Sequence, residues 1–319
     1  MCQRAAGESA VLSGERGSSM KKFTTVGLGE LLWDIFPEGR QLGGAPANFA
    51  YMTNLLGDEG IVASRVGSDE LGEEAKHRLE RLGLGTSCIQ LDPTYRTGVV
   101  QVEVDSKGQP TFQIAAPVAW DAFEWTPAWQ ALAQKADAVC FGSLAQRSPQ
   151  SRQTIFSFLK TIRPETTRVF DVNLRQSFYS AQILADSAKH ADIIKLNHDE
   201  LPTVVQLLGF PFLDEESAAQ WLLHTFHIKI VCITRGAAGS LLVSEYAKHE
   251  HPGIRVPVAD TVGSGDAFTA ALVYHYLRRD SLAAMNEAAN RMGSWVASQT
   301  GATPTRDEAR LEAIRSGDA

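Results

Sequence analysis

Cysteine is scarce: four residues (Cys2, Cys88, Cys140, Cys232) are scattered over 319 positions with no CxxC spacing. That excludes a disulfide framework, and because Cys140 and Cys232 sit inside apolar runs, reduced thiols and a cytoplasmic location are expected. No uninterrupted apolar stretch approaches the roughly eighteen residues that a membrane span requires, so an integral membrane protein is not expected. Positive charge is also in deficit: Lys and Arg number 30 against 37 Asp and Glu, a net charge of −7. No protein-wide field exists to gather a nucleic-acid backbone, and any phosphate-binding site has to be local.

Several motifs are missing as well. No GxxxxGKS/T string occurs, which excludes a Walker-type ATPase, and the GxG segments at Gly27, Gly83 and Gly263 lack the third glycine of a dinucleotide fingerprint. No repeat, proline-rich linker or long charge run marks a domain boundary. His224 and His227 on an apparent helix, and His249 and His251 flanking a loop, have no companion Cys or Asp ligands and read as ordinary side chains.

What is present is an ordinary globular composition, 44% hydrophobic and 21% charged. Residues 1–19 lack both periodicity and the apolar core of a signal peptide, and are expected as a poorly ordered extension before a functional start at Met20. From there, β-rich apolar runs alternate with helical patterns, which predicts an α/β fold with a mostly parallel sheet and covering helices. Expected strands are 23–28, 60–65, 136–141, 167–172, 192–196 and 228–234. The clearest helix is 69–82, with Asp69 as N-cap, acids early, bases late and Gly83 as stop. Two stretches, 32–42 and 97–114, break the pattern; they read as antiparallel strands with one exposed face, a small sheet suited to a lid, the second turning at Lys107-Gly108.

Three segments carry chemistry. In Asp260-Thr261-Val262-Gly263-Ser264-Gly265-Asp266-Ala267-Phe268, glycines before a helix let successive N–H groups converge where the helix dipole is positive, which makes an anion hole. An aspartate inside it suits a general base beside a phosphoryl group, although a plain N-cap is the alternative. In Gly29-Glu30-Leu31-Leu32-Trp33-Asp34, followed by Gly43-Gly44-Ala45-Pro46-Ala47-Asn48, the paired glycines admit a flat ligand, and Asp34 and Asn48 match vicinal hydroxyls. The alternative there is a strand end and a helix start. Phe170-Asp171-Val172-Asn173-Leu174-Arg175 and Lys195-Leu196-Asn197-His198-Asp199-Glu200 each end a strand, where ligands collect in open α/β sheets; capping and surface pairing are the alternative.

Taken together, these strings resemble the ribokinase-like (PfkB) carbohydrate kinases, whose C-terminal signature is approximately DTxGAGDxF and whose N-terminal signature contains GGxxxN. The resemblance runs from about Met20 to Thr303 with all motifs in order; Ser264 replaces the usual alanine. It implies a three-layer α/β/α sandwich with a β lid across residues 20–319, and an ATP-dependent kinase acting on a sugar hydroxyl. Asp266 is then the base, with Gly263, Ser264, Gly265 and Arg175 at the transferring phosphate. Asp34, Gly43, Gly44, Asn48 and Asn173 are implied for the substrate. Asn197 and Glu200 are implied to organise Mg²⁺ through water near the nucleotide. Thr234, Gly236, Gly239 and, more weakly, Asn290 are implied ATP contacts, as is the 300–302 turn. The resemblance also admits a monovalent cation such as K⁺, and it implies a homodimer through the lid.

Trp33, beside Asp34, is placed to line the sugar pocket. The Gly-Glu-Leu-Leu-x-Asp opening and the Gly-Gly-Ala-Pro-Ala-Asn string resemble those of fructokinases more than those of ribokinases or adenosine kinases, which implies fructose as the acceptor. Residues 116–121 depart from the Gly-Ala-Asp pattern of better-known fructokinases. Other small sugars (ribose, 2-keto-3-deoxygluconate), a riboside such as adenosine, and a non-catalytic sugar sensor are the competing readings; retention of Asp266 favours an enzyme.

Overall fold

The computed structural model describes residues 21–37, 39–104 and 110–317. The expected extension 1–19 and the Lys107-Gly108 turn lie outside the described residues.

The chain opens with β1 (Thr24–Leu28), then β2 (Leu32–Phe36) and β3 (Gly39–Gly43), then α1 (Ala45–Leu56). Next come β4 (Glu59–Gly67), α2 (Glu70–Arg81), β5 (Ile89–Asp92), β6 (Gly98–Val104) and β7 (Pro110–Ile114). Alternating units follow: α3 (Pro127–Lys135), β8 (Ala138–Phe141), α4 (Pro149–Thr161), β9 (Thr167–Asp171), α5 (Ala181–Lys189), β10 (Ile193–Asn197), α6 (Glu200–Leu207) and α7 (Glu215–Phe226). β11 (Ile230–Thr234), β12 (Ser240–Ser244) and β13 (Lys248–His251) precede α8 (Ser264–Leu277), α9 (Leu282–Ala297) and α10 (Glu308–Ser316).

Nine strands form one sheet in the order β13-β12-β11-β10-β9-β8-β1-β4-β5, with every neighbouring pair parallel except β11–β12 and β12–β13. Its strands are apolar on both sides because both faces are covered. Val231 and Ile233 of β11 join a core roofed by α3 to α7, while Ile230 and Cys232 join the opposite core, roofed by α1, α2 and α8 to α10. This is the expected α/β/α sandwich. Cys88, Cys140 and Cys232 are free and buried. Among the described residues no helix is long and apolar enough to cross a membrane.

The helix expected at 69–82 forms as α2. Asp69 caps it by accepting Gly72 N–H at 2.8 Å, and its other oxygen accepts Thr97 N–H at 2.9 Å, which ties the helix start to the foot of β6. The two lid stretches do join in a four-stranded sheet, β3-β2-β6-β7, but they are not antiparallel throughout: β2 and β6 pair in parallel, Asp34 opposite Val100. Alternation along each stretch predicts which face is apolar, whereas the chain path through β4, α2 and β5 between them sets the direction of pairing. His249 and His251 lie on β13 rather than flanking a loop, and His227 ends α7 in a left-handed conformation.

Candidate active site

In the sheet order β1 sits between β4 and β8, with the chain winding outward to either side. That is the switch point at which loops from the carboxyl ends of the strands part and leave a crevice. Glu30 follows β1, Asn173 follows β9, Asn197 ends β10 and Thr234 ends β11, so four of the segments singled out above converge on that edge.

The glycine turn reaches the edge from α8. This helix is buried from Ala267 to His275, with its hydrophobic residues on all sides because it is wedged between α1, α9 and the sheet. Gly263 precedes it at φ 78°, and a β-carbon there would lie 2.5 Å from Ala302 Cβ. Only glycine fits, so the 300–302 turn braces the helix start. Ser264 N–H and Oγ both donate to Thr261 O, at 3.2 and 2.8 Å. Among the described residues this takes Ser264 N–H out of the expected Gly263-to-Asp266 run and leaves the N–H groups of Gly263, Gly265 and Asp266 without a backbone acceptor.

The segment expected to bind sugar comes from the small sheet and the start of α1. Asp34 lies on β2 with its carboxylate over Gly43, where a β-carbon would stand 2.5 Å from Oδ2. Gly44, at φ 114°, packs on the Glu30 carbonyl and starts α1, with Pro46 in the first turn. One turn in, Asn48 Nδ2 donates to Asp266 Oδ2 at 2.8 Å. The two motifs, more than two hundred residues apart in sequence, therefore meet through one hydrogen bond. Trp33 Nε1 donates to Leu71 O at 2.9 Å, and the residue borders a cleft of about 320 Å³ that Asn48 and residues 300–303 also line.

Arg175 is exposed at the rim, on a loop in which Asn173 (φ 44°) and Gln176 (φ 49°) both adopt the left-handed conformation. Its charge acts on Glu30, Asp34 and Asp266 together. Burial pushes the Asp266 carboxyl up to about 6, helped by the negative charge of Asp171 and opposed by the Asn48 hydrogen bond, Lys195 and Arg175. Burial likewise lifts Asp34 to about 6 and Glu30 to about 7. Glu30, Asp171, Asn173, Asp266 and Thr269 border a cavity of about 20 Å³, room for one water.

Asn197 and Glu200 make a reciprocal cap. Asn197 Oδ1 accepts the N–H of Asp199 and Glu200, while Glu200 accepts Asn197 N–H at 2.9 Å and Leu174 N–H at 2.7 Å. Glu200 thus joins the loops after β9 and β10. The Thr234-to-Gly239 segment is the turn of the β11–β12 hairpin; Gly239, at φ 85°, has no room for a β-carbon against the His251 carbonyl. Asn290, buried on α9, gives its amide to Ser240 Oγ, the residue after Gly239, and to Asn286.

Glu30, Asp171 and Lys195 are site residues to which the motifs gave no role. The available signal was charge inside apolar strands, as in Ile193-Ile194-Lys195-Leu196.

Residues 38–309 match the sequence model of the pfkB family carbohydrate kinases. The chain belongs to that family. A fructokinase from Salmonella typhimurium is 33% identical to the kinase over 262 residues, covering 77% of this chain and 82% of its own. The uncharacterized sugar kinase PH1459 of Pyrococcus horikoshii is 29% identical over 302 residues, covering 88% and 93%. Among solved structures, a double-mutant fructokinase from Vibrio cholerae O395 with fructose, ADP and potassium aligns at TM-score 0.78 and 25% identity, over 92% of this chain and 98% of that one. The aminoimidazole riboside kinase of Salmonella enterica, bound to its riboside and an ATP analog, aligns at TM-score 0.75 and 24% identity over 92% and 99%, a likeness of fold. The kinase is thus a sugar kinase with the ribokinase-like fold that the motifs implied.

Proposed function

We propose that the kinase transfers the γ-phosphoryl group of ATP to a hydroxyl of fructose, with Asp266 as general base. The observation that carries this reading is the Asn48–Asp266 hydrogen bond, which sets the hydroxyl-binding segment against the base at an anion hole. The acceptor hydroxyl gives its proton to Asp266 as its oxygen attacks the γ-phosphorus in line and ADP leaves. Donors at Gly265 and Asp266, the positive end of α8 and Arg175 take up the charge of the transferring group. Asp34, Asn48 and Asn173, over Gly43 and Gly44, hold the sugar. Thr234, Gly236 and Gly239 form a wall for the nucleotide.

Glu200 fits a water-mediated role toward Mg²⁺. Among the described residues each of its oxygens accepts a single N–H, which leaves lone pairs for water, and no group of three or more His, Cys, Asp or Glu is arranged to hold a metal by itself. Such a donor set suits an ion that stays hydrated and sits on nucleotide phosphates, whose charge it offsets when bound.

Fructose is favoured by the Gly29-Glu30 opening and by the fructokinase relatives. The departing segment 116–121 ends in Asp121, which Arg147 grips at 2.8 Å through both Nε and Nη2; this reshapes the exit of the lid strand and keeps a riboside acceptor as the competing outcome. An ADP-release assay with ATP-Mg²⁺ and fructose, ribose, 2-keto-3-deoxygluconate, adenosine and aminoimidazole riboside tests it. A higher kcat/KM on any other acceptor overturns fructose. Asp266→Asn is expected to lose about two to four orders of magnitude in kcat; a variant keeping a third of wild-type kcat removes Asp266 from the mechanism.

We also infer a homodimer that pairs lids, whose strand β3 is exposed over Gly39, Arg40 and Gln41, and closes them over sugar. Light scattering and hydrogen exchange across residues 97–104, with and without sugar, test the two halves; a monomer at micromolar concentration, or exchange that sugar leaves unchanged, refutes each. The buried free thiols support a reducing, cytoplasmic setting. A KCl titration of activity tests for a monovalent cation.

A further inference from the structure

Beneath the glycine turn lies a charged pair that the transfer chemistry above leaves unused. Lys195 Nζ stands 3.0 and 3.1 Å from the two carboxylate oxygens of Asp171, and Thr269 Oγ1 donates to Asp171 Oδ2 at 2.9 Å and to Gly265 O at 3.0 Å. A β-carbon on Gly265 would come within 3.1 Å of Lys195 Nζ, so the ammonium packs against the turn itself. Asp171, Lys195 and Thr269 are all buried. A buried ion pair is no more stabilising than apolar residues of the same volume, so stability alone does not account for this one.

The groups that act on Asp266 come from several elements. Asp171 is on β9, Lys195 on β10, Arg175 on the loop after β9, Glu30 on the loop after β1, Cys140 on β8, and Asn48 on α1. Of the two cations, Arg175 is exposed and Lys195 is buried, and Lys195 is fixed in place by Asp171. Burial by itself would weaken the hold of Lys195 on its proton, but Asp171, Asp266 and Glu200 outweigh it and keep the ammonium charged.

We propose that the Asp171–Lys195 pair is a positioning element for phosphoryl transfer, two opposite charges fixed beneath the glycine turn that carries Asp266, with Asp171 bordering the same small cavity as that carboxyl. The proposal rests on the reading of Asp266 as the base. Lys195 favours the carboxylate that accepts the hydroxyl proton, and Asp171 opposes it, so that the base remains able to hold the proton once taken. Neither side chain needs to touch substrate for this.

The test is the pH dependence of kcat/KM for Lys195→Met, Asp171→Asn and the double variant. All three lose the same ion pair, so a merely structural role moves them alike. Loss of Lys195 is expected to raise the acidic limb by about one pH unit and loss of Asp171 to lower it by a similar amount, while the double variant returns toward wild type. Limbs that move in the same direction, or do not move, overturn the proposal. If Lys195→Met fails to fold, the fall in Asp171→Asn and its reversal in the double variant decide. Asp266→Asn in the same assay separates the two levels: retained activity removes the base, whereas lost activity with unmoved limbs removes only the role of the pair.

Discussion

Glu30→Gln is expected to stabilise the folded kinase at pH 8 and to stabilise it far less at pH 5. Glu30 is buried behind the Gly43-Gly44 loop, with Asp266 adding repulsion, and its carboxyl is raised from 4.5 to about 7. An acid whose folded value is raised binds its proton more tightly in the folded state, so folding gains nothing from it below pH 4 and loses stability as pH climbs from about 4 to 7. Across that window the cost is on the order of 3 kcal/mol at about 1.4 kcal/mol per pH unit. Glutamine keeps an oxygen for the backbone donors around the Glu30 carboxyl and never ionises. Urea denaturation at both pH values measures the difference. A stability gain equal at pH 5 and pH 8, or a loss confined to pH 8, would refute the assignment of Glu30 as a desolvated carboxyl.

Asn48→Ala removes a charge-assisted hydrogen bond to Asp266 worth about 1.5–3 kcal/mol, so the acidic limb of kcat/KM should rise from about 6 by one to two units, on top of a pH-independent loss from the missing sugar contact. A limb left at its wild-type position would contradict this. Asp34→Ala should weaken sugar binding by about 1.5–3 kcal/mol and leave ATP affinity intact, read by calorimetry with each ligand separately; unchanged sugar affinity sinks the assignment. Gly239→Ala forces a β-carbon onto the His251 carbonyl at φ 85°, which costs about 1–3 kcal/mol and should lower Tm and raise KM for ATP more than KM for sugar. Equal effects on both KM values would remove the turn from the nucleotide site.

Much of the fold was legible because parallel strands buried on both faces leave long apolar runs, and all six strands expected from such runs occur. Among the described residues three strands lay outside those expected: β12, although it carries the buried run Leu241 to Val243, and two that are short or half-polar. β5 has four residues at a sheet edge with Leu91 exposed, and β13 reads Lys-His-Glu-His, so neither carries an apolar signal. The parallel pairing of β2 with β6 was hidden for a different reason: period-two alternation reports faces, and the partner's direction depends on how the intervening chain returns. For the site, glycines were the most readable residues, since Gly43, Gly44, Gly239 and Gly263 stand where a β-carbon would collide. Lys195 and Asp171 went unassigned because a sequence shows a charge in a strand but not the partner that makes its burial tolerable.

The same burial that makes Glu30 costly is what gives Asp266 its usefulness. Glu30, Asp34, Asp171 and Asp266 gather near one buried ammonium and one exposed guanidinium, so the acids outnumber the cations that could hold them ionised. A carboxyl at its ordinary value of about 4 would part with a hydroxyl proton too readily to assist attack, whereas one near 6 lies closer to the operating pH at which proton transfer is best driven. Dispersing the acids or admitting water would relieve the folded state and lower Asp266 at the same time. The stability recovered by Glu30→Gln at pH 8 is therefore a measure of how strongly this pocket desolvates the carboxyls it contains, that of Asp266, the proposed base, among them.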